Sequence, residues 1–482
     1  MSLAFSNASC NANLSGTYFS REQFRQIVVI GDVHGDFTAL IKCLKIARLV
    51  RRVGKSWTWV GSRRTAVVLL GDTVDRFRRS ARPRMKEFRS HEGPMRTGGE
   101  RQFEELRTVL LLNSLSEQAE TAGSAVFRLF GNHEFMNYGE GSFHYATPYA
   151  LGILEGAAPP TVAAAVYARN ESFKHGLFRE LIGSCQPRAI IQIGSTVLCH
   201  GGIDDRMWKI PAVRERMRET GQSLFELANQ LARHRWNSPD EPEDPLFLTV
   251  LDNGQPRTLS ARERNRRYAN ENAAVPDPSI PGLPVAGILW DDQLSSFEVA
   301  ASHGAVCEAH TARAFLCANR DVESRPDVEP VRHICVAHCQ QYDKGTVMYE
   351  AGVPSAAYGE EASVELRGEE DSIRQVFAYT PRGPRVPDNG RHAQGINAEC
   401  GGAVWRVDVA MSRAFRFDRN YFVLVRGKSD EDYARLLEAT RPQVLRITHE
   451  DDGSESFAVI KYKGNLEYGL YTGLGDDEEE PF

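Results

Sequence analysis

The sequence lacks any apolar run near the roughly 20 residues that a membrane-spanning helix requires. It also lacks an excess of charge of either sign, because 58 Lys and Arg stand against 64 Asp and Glu, a formal net charge of −6. We therefore expect no membrane partner, and the balance argues against a strongly basic nucleic-acid-binding protein. The N-terminus, MSLAFSNASCNANLSG, has no basic segment followed by an apolar one, which excludes a signal peptide of the usual pattern.

Cysteine is sparse and irregularly spaced. The chain has nine cysteines, an odd number without any C-x-x-C pair, which excludes a disulfide-stapled scaffold and predicts reduced thiols in a cytoplasmic protein. The 482 residues are 41% hydrophobic and 25% charged, a globular rather than a disordered composition. Length alone predicts about three domains, at roughly 150 residues each.

A recurring unit is present instead, in which a short buried-strand pattern ends in glycine followed by a polar residue. The three patterns cover 27–30, 66–70 and 125–130, and they lead into GDVHGD (31–36), GDTVDR (71–76) and GNHE (131–134). Apolar residues at helical spacing predict helices over 37–49 and 102–120. Because ligands bind beyond the carboxyl ends of strands in open α/β sheets, we expect these polar side chains to converge.

Two later strand patterns end in histidine. Strands predicted at 190–193 and 196–199 lead into His200-Gly201-Gly202, and 333–337 leads into His338. Five strand ends of an α/β protein therefore present side chains that can bind metals. Nitrogen and oxygen ligands without thiolate favour Mn, Fe or Zn over Ca. Asp72 could bridge two cations about 3.5–4 Å apart, which is the arrangement of a two-metal hydrolytic site.

The motifs GDVHGD, GDTVDR, GNHE, HGG (200–202) and VAH (336–338), in this order, resemble the calcineurin-like metallophosphoesterase superfamily, phosphoprotein phosphatase type. GNHEFMN (131–137) and the Asp36 ending resemble the bacterial-type branch, the Shewanella-like protein phosphatases. NAECGGAVWRVDVAMSRAF (397–415) resembles a segment of related bacterial and large-DNA-virus enzymes. The resemblance implies an α/β fold, a metallophosphoesterase β-sandwich of two mixed sheets flanked by helices (αββα).

The resemblance also implies a site with two divalent or trivalent metal ions. The first metal would be bound by Asp32, His34 and Asp72, and the second by Asp72, Asn132, His200 and His338. A hydroxide bridging the metals would attack phosphorus in line. Three residues would complete the catalytic machinery: His133 as general acid, Asp75 as the group that orients it, and Arg76 as a phosphate ligand.

Two assignments remain open in the sequence. His310, in EAHT, is an alternative to His338, which we prefer because it follows a clearer strand and lies in a segment closer to the family's. The second phosphate-binding arginine of eukaryotic relatives has no evident counterpart, although Arg206 or Arg313 could supply it.

The activity implied is hydrolysis of phosphate monoesters, with phosphoprotein Ser/Thr as the leading substrate class. The first alternative is hydrolysis of nucleotides, dinucleoside polyphosphates or phosphodiesters at the same site. The second is a non-catalytic pseudo-phosphatase that binds phosphoproteins, and the complete set of metal-competent residues argues against it. No further cofactor is expected, and the sequence leaves the oligomeric state open.

Because the implied ligands extend from Asp32 to His338, the motifs change the estimate of three domains to one catalytic domain. We predict a loose tail over 1–22, a catalytic domain over 23–462 and an acidic tail over 463–482. The catalytic domain is expected to carry three insertions, at about 77–101, 237–286 and 351–401. The basic segment 77–101 is either a solvated surface loop or a rim of the active site that recruits anionic substrates.

Overall fold

The computed structural model describes the chain from residue 14 to residue 463 with gaps. The described ranges are 14–75, 104–139, 162–239, 249–252, 255–257, 285–286, 288–289, 294, 304–323, 325–338, 359–364, 374–380, 396–399, 403–409, 411–412 and 440–463. Arg76, the basic segment 77–101 and residues 464–482 lie outside these ranges.

Two mixed sheets form the centre of the protein. The six-stranded sheet has the order β1-β7-β8-β12-β16-β15 and the seven-stranded sheet β13-β14-β18-β17-β2-β5-β6. In chain order, the strands of these two sheets are β1 (Tyr18–Phe19), β2 (Gln26–Ile30), β5 (Thr65–Leu69), β6 (Ala125–Arg128), β7 (Ile190–Ile193), β8 (Thr196–Cys199), β12 (His333–Val336), β13 (Gly359–Val364), β14 (Arg374–Thr380), β15 (Asn397–Glu399), β16 (Val404–Arg406), β17 (Gln443–His449) and β18 (Glu455–Tyr462). The remaining strands form a hairpin and a small sheet: β3 (Val50–Val53) with β4 (Ser56–Trp59), and β9 (Thr249–Asp252) with β10 (Gln255–Arg257) and β11 (Val285–Ala286).

Helices cover the outer faces of the two sheets. They are α1 (Phe37–Ile46), α2 (Glu104–Thr121), α3 (Asn132–Gly139), α4 (Val162–Lys174), α5 (Leu177–Gly183), α6 (Pro211–Thr220), α7 (Leu224–Asn237) and α8 (Gly304–Val322). Helices α1 and α2 contact the seven-stranded sheet, and α7 contacts the six-stranded one. Among the described residues, no helix combines the length and apolarity needed to cross a bilayer.

Successive side chains of a strand point to opposite faces of its sheet, and this alternation explains why the two sheets pack face to face. In β16, Trp405 joins the apolar cluster shared with the seven-stranded sheet, whereas Val404 joins the cluster beneath the helices. The Trp405 ring stacks on Phe457 of β18, with ring centroids 5.0 Å apart. Strands β2 and β5 are buried on both faces, and their continuous apolar runs are typical of central parallel strands. The predicted sandwich of two mixed sheets flanked by helices is confirmed.

The predicted strands and the two predicted helices are confirmed to within about three residues at each end.

The predicted loose tail is wrong for residues 14–22. Tyr18–Phe19 forms β1, which pairs in parallel with β7. The Tyr18 hydroxyl contacts Ser223 at 2.5 Å and donates to Asp321, and Arg21 Nε donates to Glu329 at 2.7 Å. Polar composition misled the prediction, because these polar groups have partners within the fold.

Two further expectations need correction. The stretch 351–401, predicted as an insertion, contributes β13 and β14 to the edge of the seven-stranded sheet. The prediction of nine reduced thiols is wrong for Cys185, which is disulfide-bonded. Four other described cysteines are buried free thiols: Cys43, Cys199, Cys317 and Cys335.

Candidate active site

The candidate site lies where strand ends from both sheets meet. Parallel pairing of β2 with β5 and of β5 with β6 places their carboxyl ends side by side. Parallel pairing of β8 with β12 does the same in the other sheet. The two edges touch at His200, whose Nδ1 lies 2.9 Å from the carbonyl oxygen of Leu70. The loops after five strands therefore surround one point, as the sequence predicted.

The backbone of these loops is strained. Four residues have a positive φ: His34 (46°), Asp72 (49°), Asp75 (68°) and His338 (65°). Such conformations cost about 1–3 kcal/mol for residues other than glycine and cluster at functional sites. Three of these residues, His34, Asp72 and His338, belong to the predicted ligand set, and the fourth, Asp75, contacts His133.

Two glycines allow the loops to approach each other. A Cβ atom on Gly131 would lie 2.1 Å from Asp72 Oδ1, and one on Gly71 would lie 2.6 Å from the Gly131 Cα. Gly71 also has a φ of 116°, which side-chain-bearing residues rarely adopt. Close packing therefore requires glycine at both positions, and at Gly71 the backbone conformation requires it as well.

Asp72 lies at the centre of the site. Its Oδ2 is 3.7 Å from both His34 Nε2 and His133 Nε2, and its Oδ1 is 3.5 Å from His200 Nε2. Asp32 lies on the far side, 3.8 Å from His34 Nε2 and 3.7 Å from His200 Nδ1. All five side chains are buried.

Two groups of potential ligand atoms share Asp72. One joins Asp72 to His34 and His133, and the other joins it to Asp32 and His200, with the atoms of each group within 4.8 Å of one another. This grouping by distance differs from the one implied by the resemblance, in which Asp32 and His34 bind the same metal. The shared member, Asp72, is the same in both.

The histidine contacts fit a cation. His34 Nδ1 lies 3.0 Å from the Val74 carbonyl oxygen, as His200 Nδ1 lies near Leu70, so each ring donates from Nδ1. This orientation directs the Nε2 lone pairs toward carboxylates, which is the usual arrangement of metal-ligating histidines. Burial lowers the pKa of His200 well below 6.5, and the nearby His338 lowers it further. A neutral imidazole that faces carboxylate oxygens suits a bound cation.

Asn132 and His338 complete the second group. Asn132 Oδ1 is 2.9 Å from His200 Nε2, and the His338 ring is centred 5.2 Å from the His200 ring. His310 lies in helix α8, and its side chain is outside the described residues. The structure places His338 beside His200, and the preference for His338 over His310 stays a prediction.

His133 and Asp75 form a buried pair. His133 Nδ1 lies 2.7 Å from Asp75 Oδ2, and the His133 backbone N–H donates to Asp72 Oδ1 at 2.9 Å. Because the Asp75 carboxylate accepts a hydrogen bond from the His133 Nδ1–H, the imidazole ring presents its Nε2 to the site. This is the arrangement predicted for a general acid and the group that orients it.

Sequence reasoning missed a set of buried charged and polar groups behind this pair. Arg169 of α4, Glu105 of α2 and Asn137 of α3 each bind Asp75 directly, through its carboxylate or its backbone N–H. Asn137 lies one helical turn after His133, which is a signal that the GNHE motif offered. Arg169 lies in the run VAAAVYARNESFK, where its charge had no distinguishing context.

Glu134 was also missed, although it ends the GNHE motif. Its carboxylate accepts hydrogen bonds from four donors, at 2.6–3.1 Å: the backbone N–H groups of Gly131, Asp72 and Thr73, and the Thr73 hydroxyl. Burial raises the pKa of Glu134, and these hydrogen bonds act in the opposite direction. Glu134 therefore ties the loop after β5 to the loop after β6.

The predicted phosphate-binding arginines are only partly described. Arg76 lies outside the described residues. Arg206 Nη2 and Arg313 Nε bind the same carboxylate oxygen of the buried Asp204, at 2.6 and 3.1 Å. Both candidates for a second arginine are thus anchored next to the HGG turn.

Comparisons with known proteins identify a family and several partial relatives. The family model described as calcineurin-like phosphoesterase matches residues 25–272. Shewanella-like protein phosphatase 2 of Arabidopsis thaliana is 35% identical over 130 residues, which are 27% of this chain and 26% of that protein. An uncharacterized protein of Schizosaccharomyces pombe is 33% identical over 138 residues, 28% of this chain and 33% of that protein. The chain thus aligns with only about a quarter to a third of these curated relatives.

A comparison with solved structures found two phosphatases, both at low similarity. The crystal structure of the cold-active protein-tyrosine phosphatase of a psychrophilic Shewanella species has a TM-score of 0.42 and 15% identity, covering 92% of this chain and 84% of that one. A protein serine/threonine phosphatase from Saccharomyces cerevisiae has a TM-score of 0.36 and 13% identity, covering 94% and 85%.

Proposed function

We propose that this chain, which belongs to the calcineurin-like phosphoesterase family, is a two-metal phosphatase that hydrolyses phosphate monoesters, with phosphoserine and phosphothreonine in proteins as its substrates. The observation that supports the metal-dependent activity best is the pair of histidines, His34 and His200. Both donate from Nδ1 to a backbone carbonyl and direct Nε2 toward Asp72.

Six residues would hold the metals. They are Asp32, His34, Asp72, Asn132, His200 and His338. Asp72 belongs to both groups of potential ligand atoms, and Mn, Fe or Zn would suit these nitrogen and oxygen ligands. When bound, the two metals neutralise charge on the phosphoryl group and lower the pKa of a water that acts as nucleophile. We also propose that 23–462, together with strand β1, acts as one catalytic domain, since each sheet combines strands from both halves of the chain.

The chain's own groups act on the leaving oxygen. We assign His133 as general acid, because its Nε2 faces the site while Asp75 accepts its Nδ1 proton. Proton transfer by a positioned histidine contributes about 10²–10⁴-fold to a rate. We assign Arg76 to phosphate binding, where a planar guanidinium matches two phosphate oxygens.

The protein substrate is supported by the Arabidopsis relative, whose name is that of a protein phosphatase. The alternatives keep the same site but change the substrate: nucleotides, dinucleoside polyphosphates or phosphodiesters. A non-catalytic phosphoprotein-binding role is disfavoured, because it does not require the buried Asp and His groups around Asp72. A cytoplasmic location stays a prediction.

One experiment tests these alternatives together. The purified full chain would be loaded with Mn²⁺, its metal content measured, and kcat/KM compared across phosphoserine, phosphothreonine and phosphotyrosine forms of one peptide, bis-p-nitrophenyl phosphate and a dinucleoside tetraphosphate. We expect two metals per chain and a preference for the phosphoserine and phosphothreonine peptides of at least about tenfold, which is about 1.4 kcal/mol.

The negative control is the inactive variant Asp72→Asn, which keeps the size of the side chain but removes its charge. We expect it to lose bound metal and to lower kcat/KM by more than about 100-fold, since even groups behind the ligands cost 10–100-fold. Fastest turnover of the diester or the dinucleotide would replace the proposed substrate. A chain that binds two metals without turning over any ester would contradict the enzymatic function.

A further inference from the structure

We propose that Arg169 is the positioning residue of the general acid, holding Asp75 so that His133 presents Nε2 to the leaving group. This rests on the proposed function, in which His133 is the acid. Arg169 belongs to helix α4, which contributes none of the residues assigned above to metal or phosphate binding.

The guanidinium of Arg169 makes three directed hydrogen bonds. Nη2 donates to Asp75 Oδ1 at 2.7 Å, Nη1 to Glu105 Oε2 at 2.8 Å, and Nε to Asn137 Oδ1 at 2.8 Å. All four residues are buried, Arg169 being only 1% exposed. A planar group with fixed N–H directions satisfies these three acceptors at once, and an ammonium on a flexible stem does not.

These contacts fix the orientation of Asp75. Its Oδ1 accepts from Arg169 and from Asn137 Nδ2, and its Oδ2 accepts from Asn137 Nδ2 and faces His133 Nδ1. Glu105 Oε1 accepts from the Asp75 backbone N–H at 2.9 Å, which supports a backbone with φ of 68°. Rotation of the Asp75 carboxylate would break several of these bonds together.

The surroundings of Arg169 keep it in place. Its Cζ lies 4.9 Å from the Phe173 ring centroid and 5.8 Å from that of Phe178. The cation therefore packs against aromatic faces on one side and binds two carboxylates on the other. This arrangement makes helices α2, α3 and α4 a rigid support for one imidazole. Misplacing a reacting group by about 1 Å costs about 10²-fold in rate.

Leaving-group dependence separates this role from a general contribution to folding. The test compares wild type with Arg169→Ala on phenyl phosphate, whose leaving group needs a proton, and on 2,4-dinitrophenyl phosphate, whose leaving group does not. We expect kcat on phenyl phosphate to fall about 100-fold, the size of a general-acid contribution, with KM unchanged. We expect kcat on the dinitrophenyl ester to stay within about threefold of wild type, because no acid contribution is lost there. Added guanidinium ion should restore part of the phenyl phosphate rate.

Arg169→Lys is the second variant, because it keeps the buried charge and stem and so preserves folding if the alanine variant does not fold. We expect an intermediate loss, again confined to phenyl phosphate. The matched control is Arg188→Ala. Arg188 is also 1% exposed and packs 5.2 Å from the Phe127 ring, but it donates to backbone carbonyls of Leu14, Gly16 and Gln186. Its loss should lower stability without changing the ratio of the two rates.

The outcomes distinguish this inference from the proposed function. If wild type hydrolyses no phosphate ester, the proposed function fails. A second outcome is that wild type is active and His133→Asn loses rate on phenyl phosphate but not on the dinitrophenyl ester. If the Arg169 variants then slow both esters equally or neither, the positioning role alone is refuted. A lysine variant equal to wild type on phenyl phosphate would refute it as well.

Discussion

Replacing Gly131 by alanine tests whether the loops around Asp72 must approach as closely as they do. The added Cβ would lie 2.1 Å from Asp72 Oδ1, whereas non-bonded contacts of real Cβ atoms are essentially never shorter than 3.0 Å. The Asp72 carboxylate must therefore move by about 0.9 Å. The φ of Gly131 lies outside the left-handed region, so the alanine adds no backbone strain there.

Metal sites tolerate displacements of only about 0.2 Å in ligand distance, and misplacing a reacting group by about 1 Å costs about 10²-fold. We therefore expect Gly131→Ala to bind fewer than two metals and to lose about 100-fold in kcat/KM. Metal content by mass spectrometry and turnover of a phosphopeptide measure these effects. Gly16→Ala is the control, because its Cβ would lie 3.6 Å from the nearest atom, an ordinary contact.

Circular dichroism would establish that both variants fold. If Gly131→Ala retained two metals and its kcat/KM stayed within about threefold of wild type, when about 10²-fold is expected, the reasoning from loop contact to metal binding would be wrong. An equal loss of kcat/KM in Gly16→Ala would also contradict the reasoning, because that position has room for a methyl group.

Two further changes probe the acid and a buried carboxyl. His133→Asn should keep two bound metals but lose about 10²–10⁴-fold on phenyl phosphate, and full activity on this ester would contradict the acid role. Burial raises the pKa of Asp321 from 3.8 to about 6, so its contribution to stability is complete below about pH 4 and is lost as pH rises through 6, by roughly 3 kcal/mol. Asp321→Asn should therefore gain stability relative to wild type between pH 4.5 and 7.5 in urea unfolding, and a difference independent of pH would refute this.

The sequence predicted the strand ends well because their chemistry is local. A parallel strand buried on both faces is a continuous β-branched run, and the glycine after it marks a sharp turn. Asp32, Asp72 and His200 were therefore predicted to converge, and in the structure they do. Not every acidic residue of these motifs faces the site, however, since Asp36 instead caps helix α1 by accepting from the Ala39 N–H.

The groups behind the site could not be predicted because their partners are remote in sequence. Arg169 meets Asp75 only because α4 packs against α3, and an arginine in an alanine-rich helix reads as a solvated residue. The edge strands β13 and β14 were missed for a related reason. They occur in a stretch rich in glycine, proline and glutamate, where pairing with β18 overrides composition.

The position of β2 in its sheet has a consequence for how the chain is made. The strand that leads to Asp32 pairs on one side with β5, which follows it closely, and on the other with β17, in which Arg446 faces Val28. At about 5–20 residues per second, a ribosome needs roughly 20–80 s to make the intervening chain. The nascent protein must therefore keep a hydrophobic strand edge from pairing wrongly during that time, and a ribosome-bound chain that stops before β17 should be a strong client for chaperones.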